Sequence, residues 1–281
     1  MRRFLGAAAI VAAALAGGVQ AKERERSDAP ALQPYKIILV GDSTMAPHSG
    51  WGGAFCAYHV KSSVACVNAG RGGRSSRSYR QEGSWDIAVA EASVPGYRGA
   101  WVLIQFGHND QSSRPERWTE EKGEFPANLR RFVADVRAAG AVPVLVTPLT
   151  RREFRDGQLY NSLASWSDEV RGVAKAMDVP LVDLNALSAA QTQKMGAETA
   201  TQLAQEPPTA EELAAAKAGT TLSARPAPPP PPAIEGKGAR GQVTRKFDYT
   251  HLGNVGAEVT ARLVTDALAQ AVPALRSQLV R

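Results

Sequence analysis

The sequence predicts an α/β fold: a three-layer α/β/α, flavodoxin-like domain around a five-stranded parallel sheet. Two observations predict it. Apolar runs of strand length, at residues 36–40, 64–68, 101–106, 142–147 and 180–184, alternate with segments of helical period. That alternation is what βα units give when helices cover both faces of a parallel sheet. The polar residues able to do chemistry also fall directly after these runs, where open α/β sheets place their ligands. The rhythm leaves the strand order open, 2-1-3-4-5 included.

From the N-terminus, Met1-Arg2-Arg3, an apolar stretch over 4–19 and the small-residue ending Val19-Gln20-Ala21 have the three parts of a secretory signal. Cleavage is expected after Ala21, giving a signal peptide over 1–21 and export to a periplasm or the medium. The apolar stretch is shorter than the roughly 20 residues of a bilayer span, and Lys22-Glu23-Arg24-Glu25-Arg26 ends it; an uncleaved anchor is the alternative. Arg2-Arg3-Phe4-Leu5 lacks the spacer of a twin-arginine signal, so general secretion is expected. Residues 22–34 read as an exposed segment and 35–281 as the folded domain.

The first strand, Lys36-Ile37-Ile38-Leu39-Val40, leads into Gly41-Asp42-Ser43-Thr44. Cys56, on the first helix, and Cys66, on the second strand, are the only cysteines. In an oxidising compartment they are a disulfide candidate, contributing at most about 3 kcal/mol for so short a loop; two buried thiols are the alternative. Phe125, Leu129, Phe132, Val133 and Val136 follow helical spacing, as do Leu163, Trp166, Val170, Val173 and Met177. The stretch from about 189 to 245 breaks the rhythm as a low-complexity, Pro/Ala-rich insertion that cannot supply a core strand. Within it, 210–218 reads as a polar helix and 226–232 as an extended proline spacer. It ends just before Asp248, so it is either a solvated linker or a flap. A last helix is expected over 254–271.

Composition excludes some classes. A net charge of +6, part of it in the leader, is too small for nucleic-acid binding. Two cysteines and four scattered histidines do not make a zinc site. After signal cleavage no membrane is expected, and the chain is expected to act as a monomer.

The chemistry concentrates at four places. Ser43 follows the first strand, a glycine-rich loop from Asn68 to Ser75 the second, and Gly107-His108-Asn109-Asp110 the third. Asp248-Tyr249-Thr250-His251 puts a carboxylate and an imidazole three positions apart. Ester hydrolysis by a serine needs a base, an acid to orient the base, and donors aimed at the oxyanion. His251 fits the base and Asp248 its orienter. The donors would be the backbone N–H groups of Ser43 and Gly73 and the Asn109 amide, with glycine at 73 permitting close approach and positive φ. A neutral base makes the rate climb as pH rises through the ordinary imidazole range, near ~6.5.

These four blocks, in this order, resemble the GDSL/SGNH hydrolase superfamily over nearly the whole chain beyond the leader, outside the proline-rich segment. Gly73-Arg74-Ser75-Ser76-Arg77-Ser78-Tyr79, Gln105-Phe106-Gly107-His108-Asn109-Asp110 and Thr147-Pro148-Leu149-Thr150-Arg151-Arg152-Glu153-Phe154 are similar to the rhamnogalacturonan acetylesterase branch. The resemblance implies a cofactor-free acetylesterase of pectic polysaccharide, with Ser43, Asp248 and His251 as triad and Ser43, Gly73 and Asn109 as oxyanion hole. The long insertion before Asp248 departs from the compact family pattern.

Further residues are weighed on chemistry alone. Arg71, Arg74, Arg77 and Arg80 recur every third residue; Arg74, Arg77, Arg151 and Arg152 are candidates for an anionic polysaccharide, against internal ion pairs with acids such as Glu82 and Asp86. His108 reads as a supporting or substrate-facing group, Asp42 as a local cap, and His48 and His59 as ordinary surface or core residues. Trp51, Trp85 and Trp118 are either sugar platforms or core. Rival functions are an acetylxylan or broad short-acyl esterase, a non-catalytic polysaccharide-binding protein, and an acetyltransferase on the same scaffold.

Overall fold

The computed structural model describes residues 33–225 and 245–281. The expected leader, most of the exposed N-terminal segment and the proline run lie outside the described residues. β1 (Tyr35–Gly41), β2 (Val64–Asn68), β3 (Gly99–Gln105), β4 (Val142–Val146) and a short fifth sheet strand (Leu181–Val182) form a parallel sheet. In chain order of these five strands the spatial order is 2-1-3-4-5, which settles what periodicity left open. A separate two-stranded hairpin pairs β5 (Phe154–Arg155) with β6 (Gln158–Leu159), so the fifth sheet strand is β7.

Alternation along the strands divides the core into two layers. Ile37, Leu39, Trp101, Leu103, Val144 and Val146 face one side, and Ile38, Val40, Val102, Ile104 and Leu145 the other. The first side is covered by α1 (Gly52–Tyr58) and the long C-terminal helix α8 (Asn254–Ala271), through Phe55, Ala261, Val264 and Leu268. The second is covered by α2 (Ser76–Gln81), α3 (Ser84–Ala92), α4 (Glu124–Ala138) and α5 (Ala164–Ala176). There Trp85, Phe132, Val133, Val136 and Val170 close the layer. Trp51 and Trp85 are therefore core, whereas Trp118 is 46% exposed. Cys56 and Cys66 are joined as a disulfide, tying α1 to β2 across Cα atoms 5.5 Å apart. His59 is a buried tie to the C-terminus, with Nδ1 3.0 Å from the Val280 carbonyl.

The stretch from 189 is more ordered than its composition suggests. α6 (Leu184–Thr201) continues to Thr201 through a kink at Gly196, whose φ is 73°. It buries small and polar residues, among them Ser188, Thr192, Ala197 and Ala200, so no apolar stripe marked it. α7 (Ala210–Lys217) matches the expected polar helix and begins with a capping box between Thr209 and Glu212. Among the described residues no helix is long and apolar enough to cross a membrane.

Candidate active site

All four sequence blocks meet at the carboxyl ends of β1, β2 and β3. After β1, Gly41 is required by close approach: a Cβ there would lie 2.7 Å from the Gln105 carbonyl oxygen. The chain then turns around Asp42, whose Oδ1 accepts from the Thr44 backbone N–H and hydroxyl, both at 2.8 Å. This is the local cap expected of Asp42. It is anchored beneath by Gln105, which donates to Thr44 Oγ1 at 2.6 Å and accepts from Trp51 Nε1 at 2.9 Å. Ser43 is thus held on a turn braced by fully buried residues.

The 248–251 turn arrives from the far end of the sequence. Asp248 Oδ1 accepts from the backbone N–H groups of Thr250 (2.9 Å) and His251 (2.7 Å). Asp248 Oδ2 lies 2.7 Å from His251 Nδ1, and His251 Nε2 lies 2.8 Å from Ser43 Oγ. A carboxylate at Nδ1 holds the proton on that nitrogen, which leaves the Nε2 lone pair facing the serine hydroxyl. Burial pushes the Asp248 carboxyl up, but His251 and Lys246 outweigh it and hold it far below the usual carboxylate range. The arrangement can transfer the Ser43 proton and stabilise the imidazolium that results.

The glycine loop and the 107–110 loop converge on the other side of Ser43. Gly73 has φ +79°, the left-handed conformation for which glycine was expected. Ser43, Gly73, Asn109 and His251 line one cleft of about 350 Å³. The N–H groups of Ser43 and Gly73 donate no hydrogen bond among the described residues, so both are free for a ligand. Asn109 gives one N–H to the Arg74 carbonyl at 3.1 Å. Asp110 ties the two loops together from below, accepting from Ser76 N and Oγ, Gly107 N and Thr119 Oγ1. Burial pushes its carboxyl up to about 7 against the hydrogen bonds from Ser76 and Thr119.

A larger cleft of about 590 Å³ opens from Ser43 and His251 towards the β5–β6 hairpin and residues 220–225. His108 lines it, with its ring 3.5 Å from Asp42 Oδ2 and its imidazole pushed down by burial. Arg151 also lines it, donating to Thr250 Oγ1 and Ser162 Oγ, with its guanidinium lowered by burial.

The other candidate arginines line neither cleft. Arg74 pairs with Glu82 at 2.9 Å and Arg77 with Glu124, and neither lines the two clefts. Arg71 and Arg80 follow suit, with Glu82 at 3.6 Å and Asp135 at 2.6 Å. Arg152 is 2% exposed, and its Nη2 donates to the carbonyls of Asp248 and His251, each at 2.9 Å. These bonds brace the 248–251 turn from behind. Arg152→Met should therefore lower kcat by roughly 10- to 100-fold with KM nearly unchanged, because the carbonyls lose their donor and the imidazole its exact placement. Steady-state kinetics on a small aryl acetate check this; a rise in KM alone would return Arg152 to substrate contact.

The comparisons agree with this geometry. A family model described as GDSL-like lipase/acylhydrolase matches residues 39–203, more than half of the chain. The chain belongs to that family. This GDSL-like hydrolase is 35% identical over 179 residues to the rhamnogalacturonan acetylesterase RhgT of Bacillus subtilis, covering 61% of the chain and 74% of the relative. The probable rhamnogalacturonan acetylesterase YesY of the same organism is 32% identical over 155 residues, covering 53% and 69%. The crystal structure of Bacillus subtilis YxiM superposes with a TM-score of 0.60 at 22% identity, covering 85% of this chain and 57% of that one. The shared fold is that of SGNH hydrolases, and membership makes the GDSL-like hydrolase a serine-hydrolase-type esterase.

Three features of the site escaped sequence reasoning. Arg117 stands over Gly73, with Nη1 3.5 Å from Asn109 Oδ1. Lys246 reaches Asp248 at 2.9 Å. Residues 220–225, which follow α7, wall the larger cleft. None sits in a motif block, and only the proximity of Lys246 to Asp248 in sequence was a usable signal.

Proposed function

We propose that this chain is an exported, monomeric serine carbohydrate esterase that removes O-acetyl groups from plant cell-wall polysaccharide, with rhamnogalacturonan as the polymer. The observation that carries the reading is the unbroken chain from Ser43 Oγ through His251 to Asp248, at 2.8 and 2.7 Å, beside free backbone donors. In this mechanism Ser43 attacks the acetyl carbonyl as His251 takes its proton. The N–H groups of Ser43 and Gly73 and the Asn109 amide receive the oxyanion. His251 then protonates the departing sugar oxygen, and a water activated by the same imidazole releases acetate from the acetyl-enzyme.

Carbohydrate rather than lipid is favoured by the larger cleft, whose wall is mostly polar, with Arg151, Glu153, Thr220, Thr221 and Ser223 beside the apolar Phe154 and Leu222. The names of the two curated relatives favour the pectic polymer. Export is supported by the three-part leader and by the Cys56–Cys66 disulfide. The test is acetate release by the protein lacking residues 1–21, on acetylated rhamnogalacturonan, acetylated xylan and a small aryl acetate. Preferential release from the pectic polymer is expected. Preference for xylan would transfer the activity to that polymer, release from the aryl acetate alone would discard the polysaccharide, and acetate transfer requiring an acceptor sugar would make the protein a transferase.

A further inference from the structure

The ammonium of Lys246 stands 2.9 Å from Asp248 Oδ2, the same oxygen that His251 Nδ1 approaches at 2.7 Å. Nothing in serine-ester chemistry requires a cation there. A triad carboxylate works by being negative beside the imidazole that gains a proton. We propose that Lys246 is a positioning residue that sets the low-pH limit of activity by taking up part of the Asp248 charge. The inference rests on the reading of Ser43, His251 and Asp248 as a triad.

The geometry makes the contact a built feature. Asp248 is 7% exposed in its side chain and Lys246 33%. Oδ1 is occupied by the two backbone N–H groups of the turn, so Lys246 and the imidazole share the other oxygen. Lys246 also lines both clefts that open from Ser43, at the point where they meet.

The consequence follows from charge. When His251 holds the serine's proton it is positive, and Asp248 stabilises it. A second cation on the same carboxylate oxygen opposes that stabilisation, so its removal should carry the acid limb of the rate to higher pH. The same opposition should lower the plateau rate, since the charge pair formed in proton transfer is less stabilised. Among the described residues the other charged groups around the turn include Arg151, Arg152 and Glu153 from the loop after β4, Arg155 on β5, Arg225 with its partner Glu212 across the larger cleft, Asp42 and His108 after β1 and β3, and Arg117 across the smaller cleft. All remain when Lys246 is replaced, so the difference isolates its charge.

The experiment compares kcat/KM against pH for the full chain and for Lys246→Met, Lys246→Gln and Lys246→Arg, on a neutral aryl acetate so that substrate charge does not intrude. The acid limb of both neutral variants should move up by about 0.5–1 pH unit, and the gap should narrow in high salt. Lys246→Arg should keep the original limb. Superimposed limbs overturn the proposal, and so does an Arg variant that moves with the neutral ones, which would mark a packing role. A His251→Ala protein that kept its activity would overturn the triad reading as well, whereas its inactivity with unmoved limbs sinks the Lys246 proposal alone.

Discussion

Ser43→Ala should lower kcat on an aryl acetate on the order of 10⁴–10⁶-fold, and adding His251→Ala to it should cost almost nothing more. The reason is the 2.8 Å contact between Ser43 Oγ and His251 Nε2. The serine is nucleophilic only as its proton leaves to the imidazole, and the imidazole has no other proton to take, so the two act as one unit. Residual turnover should persist, because the N–H groups of Ser43 and Gly73 and the Asn109 amide still polarise a bound ester for attack by water. Asp248→Asn should cost roughly 10⁴-fold, since an amide no longer enforces the Nδ1–H tautomer. Steady-state rates for the single and double variants, with thermal melts to confirm folding, decide the matter. Losses that multiplied in the double variant would show that serine and histidine act separately.

Much of this site was legible because it depends on chain-local rules. Five apolar runs gave five parallel strands, since alternating layers on both faces leave such strands apolar throughout. Ser43, Gly73 and Asn109 then had to lie close together, because each directly follows a strand whose end points the same way. The arginines stayed open to two readings for the converse reason. Arg151 and Arg152 are adjacent, yet Arg151 lines the larger cleft and Arg152 lies 2% exposed beneath the 248–251 turn. A guanidinium suits a substrate carboxylate and a set of backbone carbonyls equally well, and only the packed loop decides which one it meets. α6 was hidden by composition: a helix that after Leu184 buries Asn185, Ser188, Thr192 and Ala200 carries no apolar period to detect. Arg117 lay outside every motif, although it is the neighbour that completes the smaller cleft.

Asn109→Ala should reduce kcat on the order of 10²–10³-fold while leaving KM within a few-fold. The amide carries two N–H groups. One donates to the Arg74 carbonyl at 3.1 Å, which fixes the side chain against the glycine loop, and the second is left for the oxyanion. Its orientation is set from the opposite end, where Oδ1 lies 3.5 Å from Arg117 Nη1; a flipped amide would set N–H against guanidinium and a carbonyl oxygen against the developing negative charge. The contact strengthens only as the acetyl oxygen becomes an anion, so its loss falls on kcat rather than on substrate affinity. Asn109→Asp should be at least as damaging as alanine, because it brings a negative charge to the place where negative charge must form. Arg117→Ala keeps the donor but frees its orientation, and so should cost less than Asn109→Ala. Single-turnover rates on the aryl acetate separate these cases, and a loss of only twofold in Asn109→Ala would remove the amide from the oxyanion hole and leave the backbone donors of Ser43 and Gly73 to carry it.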